Sequence, residues 1–225
     1  MVLPIGELWY SSNPVAWDDA LGRYWDFVQP CNRELERCLE QPGLVERVRR
    51  SNAEEWYQFL LNKYFRWKYT ARNRCKTTMN KLKRYKEEGK LEELDAIRQS
   101  LLNMDRSDVE GALMVAHQIH GLGTAGASGL LALLYPHDFA TVDQFVVKAL
   151  QQIPRLPDAA QIAQMKPEHL CVRDGVLLIR VMKQKANENN EAFATSTWTP
   201  RKVDKVLWAY GRPSNTGSCS GTARP

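Results

Sequence analysis

Strand-like patterning is scarce along this chain. Trp56, Phe59, Leu60 and Lys63 recur at helical spacing, and the one β-like run, Val176 to Ile179, continues into Arg180-Val181-Met182-Lys183, which suits a helix as well. The pattern predicts an all-α protein. Three helix starts are marked by a hydroxyl residue with Glu or Gln three positions later, Ser51 with Glu54, Ser107 with Glu110 and Thr141 with Gln144. A fourth is Thr199 followed by Pro200, because proline at the first helical position loses no needed N–H. The expected helices are 15–28, 31–39, 53–67, 72–88, 91–103, 108–118, 125–134, 142–152, 158–164, 175–189 and 200–210, the last stopping at Gly211. Lys86 to Lys90 reads as a solvated turn, and no internal repeat is visible.

Composition changes this picture little. With 225 residues and 44% apolar content the chain has ample material for a core, and the net charge of +5 is modest, so the placement of charge matters more than its sum. Residues 1–10 lack the basic start of a signal peptide, and the longest apolar stretch, 129–135, is too short for a bilayer that needs about 20 residues. The cysteines at 31, 38, 75, 171 and 219 form no C-x-x-C pair. A soluble, reduced, cytoplasmic protein with no membrane association is the expectation.

Charge is concentrated between Lys63 and Lys86, which hold ten Lys or Arg and no Asp or Glu. Within this stretch Tyr64-Phe65-Arg66-Trp67-Lys68-Tyr69 alternates aromatic rings with cations. Arg66, Lys68, Arg72 and Arg74 suit a phosphate backbone, and the rings suit an unpaired base. A plainer reading makes Tyr64, Phe65 and Trp67 core residues and the cations a solvated helix face.

The most informative stretch is 107–150, in which Ile119-His120-Gly121-Leu122-Gly123-Thr124-Ala125 joins two helices and Thr141-Val142-Asp143-Gln144 opens a third. Two glycines around one apolar residue permit a tight hairpin whose N–H groups, at the start of a helix, favour an anion such as a DNA phosphate. Asp143 in a first helical turn is favoured as a carboxylate; structurally it complements the helix dipole.

This stretch resembles the helix-hairpin-helix superfamily of base-excision DNA glycosylases, the endonuclease III-like proteins, in which an apolar-x-Gly-x-Gly hairpin precedes Val-Asp at the head of a later helix. The resemblance implies an endonuclease III-like two-domain helical fold: a terminal domain of residues 1–50 and 155–212, a hairpin domain of residues 51–154, a flexible tail at 213–225, and DNA lying across the cleft. It implies that Gly121, Leu122, Gly123, Thr124 and Ala125 bind DNA and that Asp143 is catalytic. A carboxylate there stabilises the oxocarbenium-like sugar left when an N-glycosidic bond breaks and helps position the attacking water. Bifunctional members carry a Schiff-base lysine two residues after the second hairpin glycine, where this chain has Ala125. A monofunctional hydrolase is therefore expected, leaving an abasic site. Lys148 lies too far beyond Asp143 to substitute.

The resemblance further implies a monomer that binds double-stranded DNA with one base flipped out. No cofactor or metal is expected: the iron–sulfur cluster of some relatives needs four closely spaced cysteines, and only Cys171 and Cys219 lie in the C-terminal half. Trp67, Tyr69, Asn73 and His120 are the base-pocket candidates, with Lys68 a polar reader and Trp56, Tyr57 and His117 considered beside them. Asp204 reads as a packing residue paired with the flanking Lys202 and Lys205. The substrate class spans damaged bases, hence repair, and modified bases of phage DNA, hence antiviral defence. The alternative is a DNA-binding module without catalysis.

Overall fold

The structure, a computed structural model of the chain, describes residues 3–213. Their regular structure is entirely helical: α1 (Ile5–Leu8), α2 (Pro14–Gly22), α3 (Tyr24–Phe27), α4 (Pro30–Leu39), α5 (Leu44–Arg50), α6 (Ala53–Phe59), a π turn (Leu60–Tyr64), α7 (Phe65–Lys68), α8 (Arg72–Glu87), α9 (Leu91–Asn103), α10 (Val109–His117), α11 (Thr124–Leu134), α12 (Gln144–Leu150), α13 (Ala159–Gln164), α14 (Val172–Ala192) and α15 (Pro200–Gly211). The expected all-α class holds, and Val176 to Ile179 is helical within α14. None of these helices is long and apolar enough to cross a membrane. Except for Pro213, the tail expected to be flexible, with Cys219, lies outside the described residues.

Helix α11 is the centre of the molecule. Its sequence, TAGASGLLALL, is apolar on every face, and every residue but Ala125 is buried; a helix of that kind must be covered all round. α10, α14, α5 and α15 pack against it. The buried apolar residues form one continuous cluster from Ile5 to Leu207. α12 lies along α15, so close that a Cβ on Gly211 would stand 1.8 Å from the Phe145 carbonyl oxygen. The last helix ends at Gly211, as expected, and glycine is needed there for contact with α12.

Three helix caps sit one or two residues beyond the hydroxyls that the sequence pattern favours. Asn52, not Ser51, caps α6, in a capping box with Glu55. Asp108, not Ser107, caps α10, and Asp143, not Thr141, caps α12. Asx side chains equal or outrank hydroxyls as N-caps, and here each lies nearer the first helical turn. Thr199 caps α15 as expected, accepting from the Lys202 N–H at 3.2 Å. The single helix expected over 15–28 is two, interrupted after Gly22. α5 was not anticipated, because only Leu44 and Val48 are buried among its charged residues.

The π turn resets the helical phase between α6 and α7 and widens the backbone there, a feature frequent near functional sites. Beyond it Trp67 turns inward to α4, where its carbonyl accepts from the Asn32 amide at 3.2 Å. Lys68 faces a cleft between α4, α7, α11, α12 and α15.

Candidate functional site

The segment linking α10 to α11 is held by backbone sterics and by tyrosines of the aromatic segment. Gly121 has φ of 95°, and a Cβ there would meet the Thr78 carbonyl oxygen at 2.7 Å, so only glycine fits. The Tyr69 hydroxyl donates to the Gly121 carbonyl at 3.1 Å. The Tyr85 hydroxyl donates to the Gln118 carbonyl at 3.1 Å and accepts from the His120 N–H at 3.3 Å. Leu122 is buried and anchors the turn from beneath. Gly123 is different: nothing lies within 4 Å of where its Cβ would be. It is the N-cap of α11 and supplies no capping side chain, so the positive end of this helix faces outward through bare backbone.

Asp143 is tied to that helix. Buried Ser128 on α11 accepts from the Val142 N–H at 3.0 Å while donating to the Ala125 carbonyl at 3.2 Å. One oxygen of Asp143, Oδ1, accepts from Phe145 N at 2.8 Å and Val146 N at 3.1 Å. The other has no hydrogen-bond partner among the described residues. Asp143 is half-buried and lines the cleft with Gly123 to Gly126. Capping of α12, expected of Thr141, and an outward carboxylate oxygen thus coexist in the Asp143 side chain.

Behind Asp143 the cleft wall is a buried charge network. Arg201 reaches Glu36 at 2.7 Å, Glu40 at 3.0 Å and Asp204 at 2.6 Å, and Lys205 reaches Glu36 at 3.1 Å and Glu40 at 2.6 Å. Glu36 also accepts from the Tyr24 hydroxyl at 2.6 Å and the Trp67 indole N–H at 3.0 Å. Asp204 accepts the Thr141 N–H at 2.6 Å, so both its oxygens are engaged. It is a packing residue, but its partner is Arg201 rather than the flanking lysines: α15 is helical, and residues three apart share a face. Burial raises the Asp204 carboxyl to a pKa of about 7 against the pull of Arg201.

Lys68 enters the same cleft from α7. Its stem lies on Gly129 of α11, with Cδ and Cε 3.2 and 3.3 Å from where a Cβ would be, so a side chain there would displace the lysine. Among the described residues Lys68 makes no ion pair or hydrogen bond through Nζ. Desolvation lowers its ammonium pKa to about 8, partly offset by Asp143 and then Asp204, while Arg201 and Arg74 lower it further.

The sequence-nominated residues divide accordingly. Asp143, Gly123, Thr124, Ala125, Trp67, Lys68, Tyr69 and Arg74 all line the cleft, whose volume is about 650 Å³. Arg66, Arg72 and Arg74 are exposed. Asn73 and His120 do not line it: Asn73 faces outward on α8, and His120 stacks on Tyr85 with ring centroids 4.2 Å apart. Trp67 and Tyr69 are buried, with their polar atoms committed to Glu36 and Gly121, so neither ring is free to receive a base. Tyr64, Phe65 and Trp56 are core residues.

The sequence reading missed the half-exposed aromatics of the cleft, Phe27, Phe145 and Trp208. Phe145 meets Trp208 edge-on at 5.9 Å, and the Arg212 guanidinium lies 4.6 Å from the Trp208 ring centre. The spacing of Glu36 with Glu40, and of Arg201 with Asp204 and Lys205, was the available signal for the charged wall. No group of His, Cys, Asp and Glu among the described residues is arranged to hold a metal ion. Compared with known proteins, the chain matches no family model, no curated protein and no solved structure.

Proposed function

We propose that the chain is a helix-hairpin-helix DNA glycosylase of endonuclease III-like fold that releases a damaged or modified base by water attack on the N-glycosidic bond. The observation that carries this reading is one cleft holding both the uncapped start of α11 and the unpartnered oxygen of Asp143. The helix start suits a phosphate, and the carboxylate suits the positive sugar formed one nucleotide away. α8 supports the reading by exposing Arg72, Arg74, Lys76, Lys81, Lys83 and Arg84 beside the hairpin. Phe27, Phe145 and Trp208 are the rings available to a flipped base. Asp143 orients water and stabilises the developing cation, while the Asp204 network holds Thr141, and through it the Asp143 loop, in place.

The test is a panel of duplexes carrying oxidised, alkylated, deaminated and hypermodified bases, read by mass spectrometry of the freed base and by alkali-labile strand breaks. Base release that survives unchanged in Asp143→Asn removes Asp143 from the mechanism. The engagement of Asp143 Oδ1 in capping favours the second reading, a DNA-binding module without catalysis. Salt-sensitive duplex binding with no base released from any member of the panel selects that alternative.

A further inference from the structure

Ala125 leaves the hairpin without an amine, yet the fold brings one to the same cleft from another helix. We infer that Lys68 of α7 is an amine nucleophile that captures the C1′ aldehyde of an abasic sugar held beside Asp143. The inference rests on the glycosylase reading for the origin of that sugar. Three observations support it. Lys68 lines the cleft with Asp143 and the start of α11. Its stem is seated on Gly129, which fixes where the amine goes. Its nitrogen has no ion-pair or hydrogen-bond partner among the described residues, whereas the neighbouring cations Arg201 and Lys205 are paired with carboxylates.

Desolvated lysines are nucleophilic because the neutral amine is populated near neutrality. The groups whose charges act on Lys68 are Asp143, Asp204, Arg201 and Arg74, and with burial they leave it with a pKa of about 8. The chemistry balances without a cofactor. Base loss leaves a sugar whose ring-opened form carries an aldehyde at C1′. The Lys68 lone pair adds to C1′ to give a carbinolamine, which takes up a proton and loses water to form a protonated imine. Transfer of the C2′ proton to the Asp143 carboxylate then lets the C2′–C3′ double bond form as the C3′–O bond breaks and the 3′-phosphate departs. Hydride from borohydride intercepts the imine instead, leaving a stable secondary amine between protein and DNA.

The experiment uses the full chain and an end-labelled duplex with one preformed abasic site, so it does not depend on the chain's own base release. Wild-type protein treated with cyanoborohydride is expected to form a covalent adduct, and peptide mapping is expected to place the link at Lys68. Lys68→Arg, which keeps charge and bulk, and Lys68→Gln are expected to lower adduct yield at least a hundredfold. Yield is expected to climb about fifty-fold from pH 6 to pH 8, as the neutral fraction of an amine with pKa near 8 rises. The inference is overturned by absence of an adduct with wild type, by undiminished yield in Lys68→Arg, or by a link mapped to the N-terminal amine or to Lys148. Mapping on wild type decides the matter even if a variant fails to fold. Base release without an adduct overturns this inference and leaves the glycosylase reading standing; an adduct without base release from any lesion does the reverse.

Discussion

Two aspartates on packed helices face one cleft and are used in opposite ways. Asp143, the N-cap of α12, spends one oxygen on backbone N–H groups and leaves the other unpartnered among the described residues. Asp204, on α15, is 2% exposed and has both oxygens engaged, by Arg201 and by the Thr141 N–H. Burying a carboxylate is costly unless it is paired and hydrogen-bonded, and a carboxylate so satisfied has little left to offer a substrate. The contrast leaves the half-buried acid with a free oxygen, as the proposed function requires, and makes the sealed one part of the architecture. Since Asp204 accepts from the Thr141 N–H, the sealed acid also positions the loop that carries Asp143.

The largest expected effect falls on the sealed wall. Arg201→Met strips the common partner from Glu36, Glu40 and Asp204 and should cost about 3–5 kcal/mol of unfolding free energy in a denaturant titration. Asp143→Ala, which loses only a cap, should cost about 1 kcal/mol. Equal losses would erase the distinction between the two regions.

Next in size is activity. Asp143→Asn keeps a good N-cap and should melt like wild type, while base release falls about a hundredfold or more, roughly 2.7 kcal/mol of lost transition-state stabilisation. A variant that melts early and retains its rate would invert the assignment.

A smaller contrast lies within the hairpin. Gly121→Ala meets both a positive φ and the Thr78 carbonyl and should destabilise by about 1–3 kcal/mol. Gly123→Ala has open space around it, so stability should be unchanged while duplex affinity, read by fluorescence anisotropy, falls because the methyl group blocks close approach of a phosphate. If Gly123→Ala binds DNA like wild type, the proposal that the hairpin contacts a phosphate fails.

The smallest effect is a dependence on pH. Burial, outweighing the Arg201 charge, raises the Asp204 carboxyl from an ordinary 3.8 to about 7, so between those values the folded state holds a proton that the unfolded state releases. The associated stability is fully present below pH 3.8 and is lost as pH rises through about 7. Lowering pH from 8 to 6 should therefore stabilise wild type relative to Asp204→Asn, by about 1.4 kcal/mol, in paired thermal melts. A shift of the opposite sign would mean that Asp204 stays ionised beside Arg201.

Much of the cleft was legible in particular residues. Gly121 and Gly123 mark the turn between α10 and α11, because a chain that reverses so tightly needs a residue tolerant of positive φ. Asp143 was nominated by its distance from that turn, and the Ser128 to Val142 hydrogen bond shows what holds the two together. Trp67 and Tyr69 were nominated for the wrong task. Aromatic residues among cations read alike whether the ring is open to a base or buried with its polar atom bound, and only the neighbours Glu36 and Gly121 distinguish these states.

The sequence by itself determined the helical class, the site of the hairpin, the concentration of exposed cations on α8, and the start of α15 at Thr199-Pro200, all of which rest on local periodicity, backbone sterics and capping. Tertiary structure alone decided that Glu36 and Arg201 meet across 165 positions of sequence, that Asp204 is sealed while Asp143 stays half-open, and that Lys68 and Asp143 line one cleft although Ala125 holds the hairpin position. Those outcomes depend on burial and on which charges share a cavity. Both are set by how helices distant in sequence pack, and neither has a local signature in the chain.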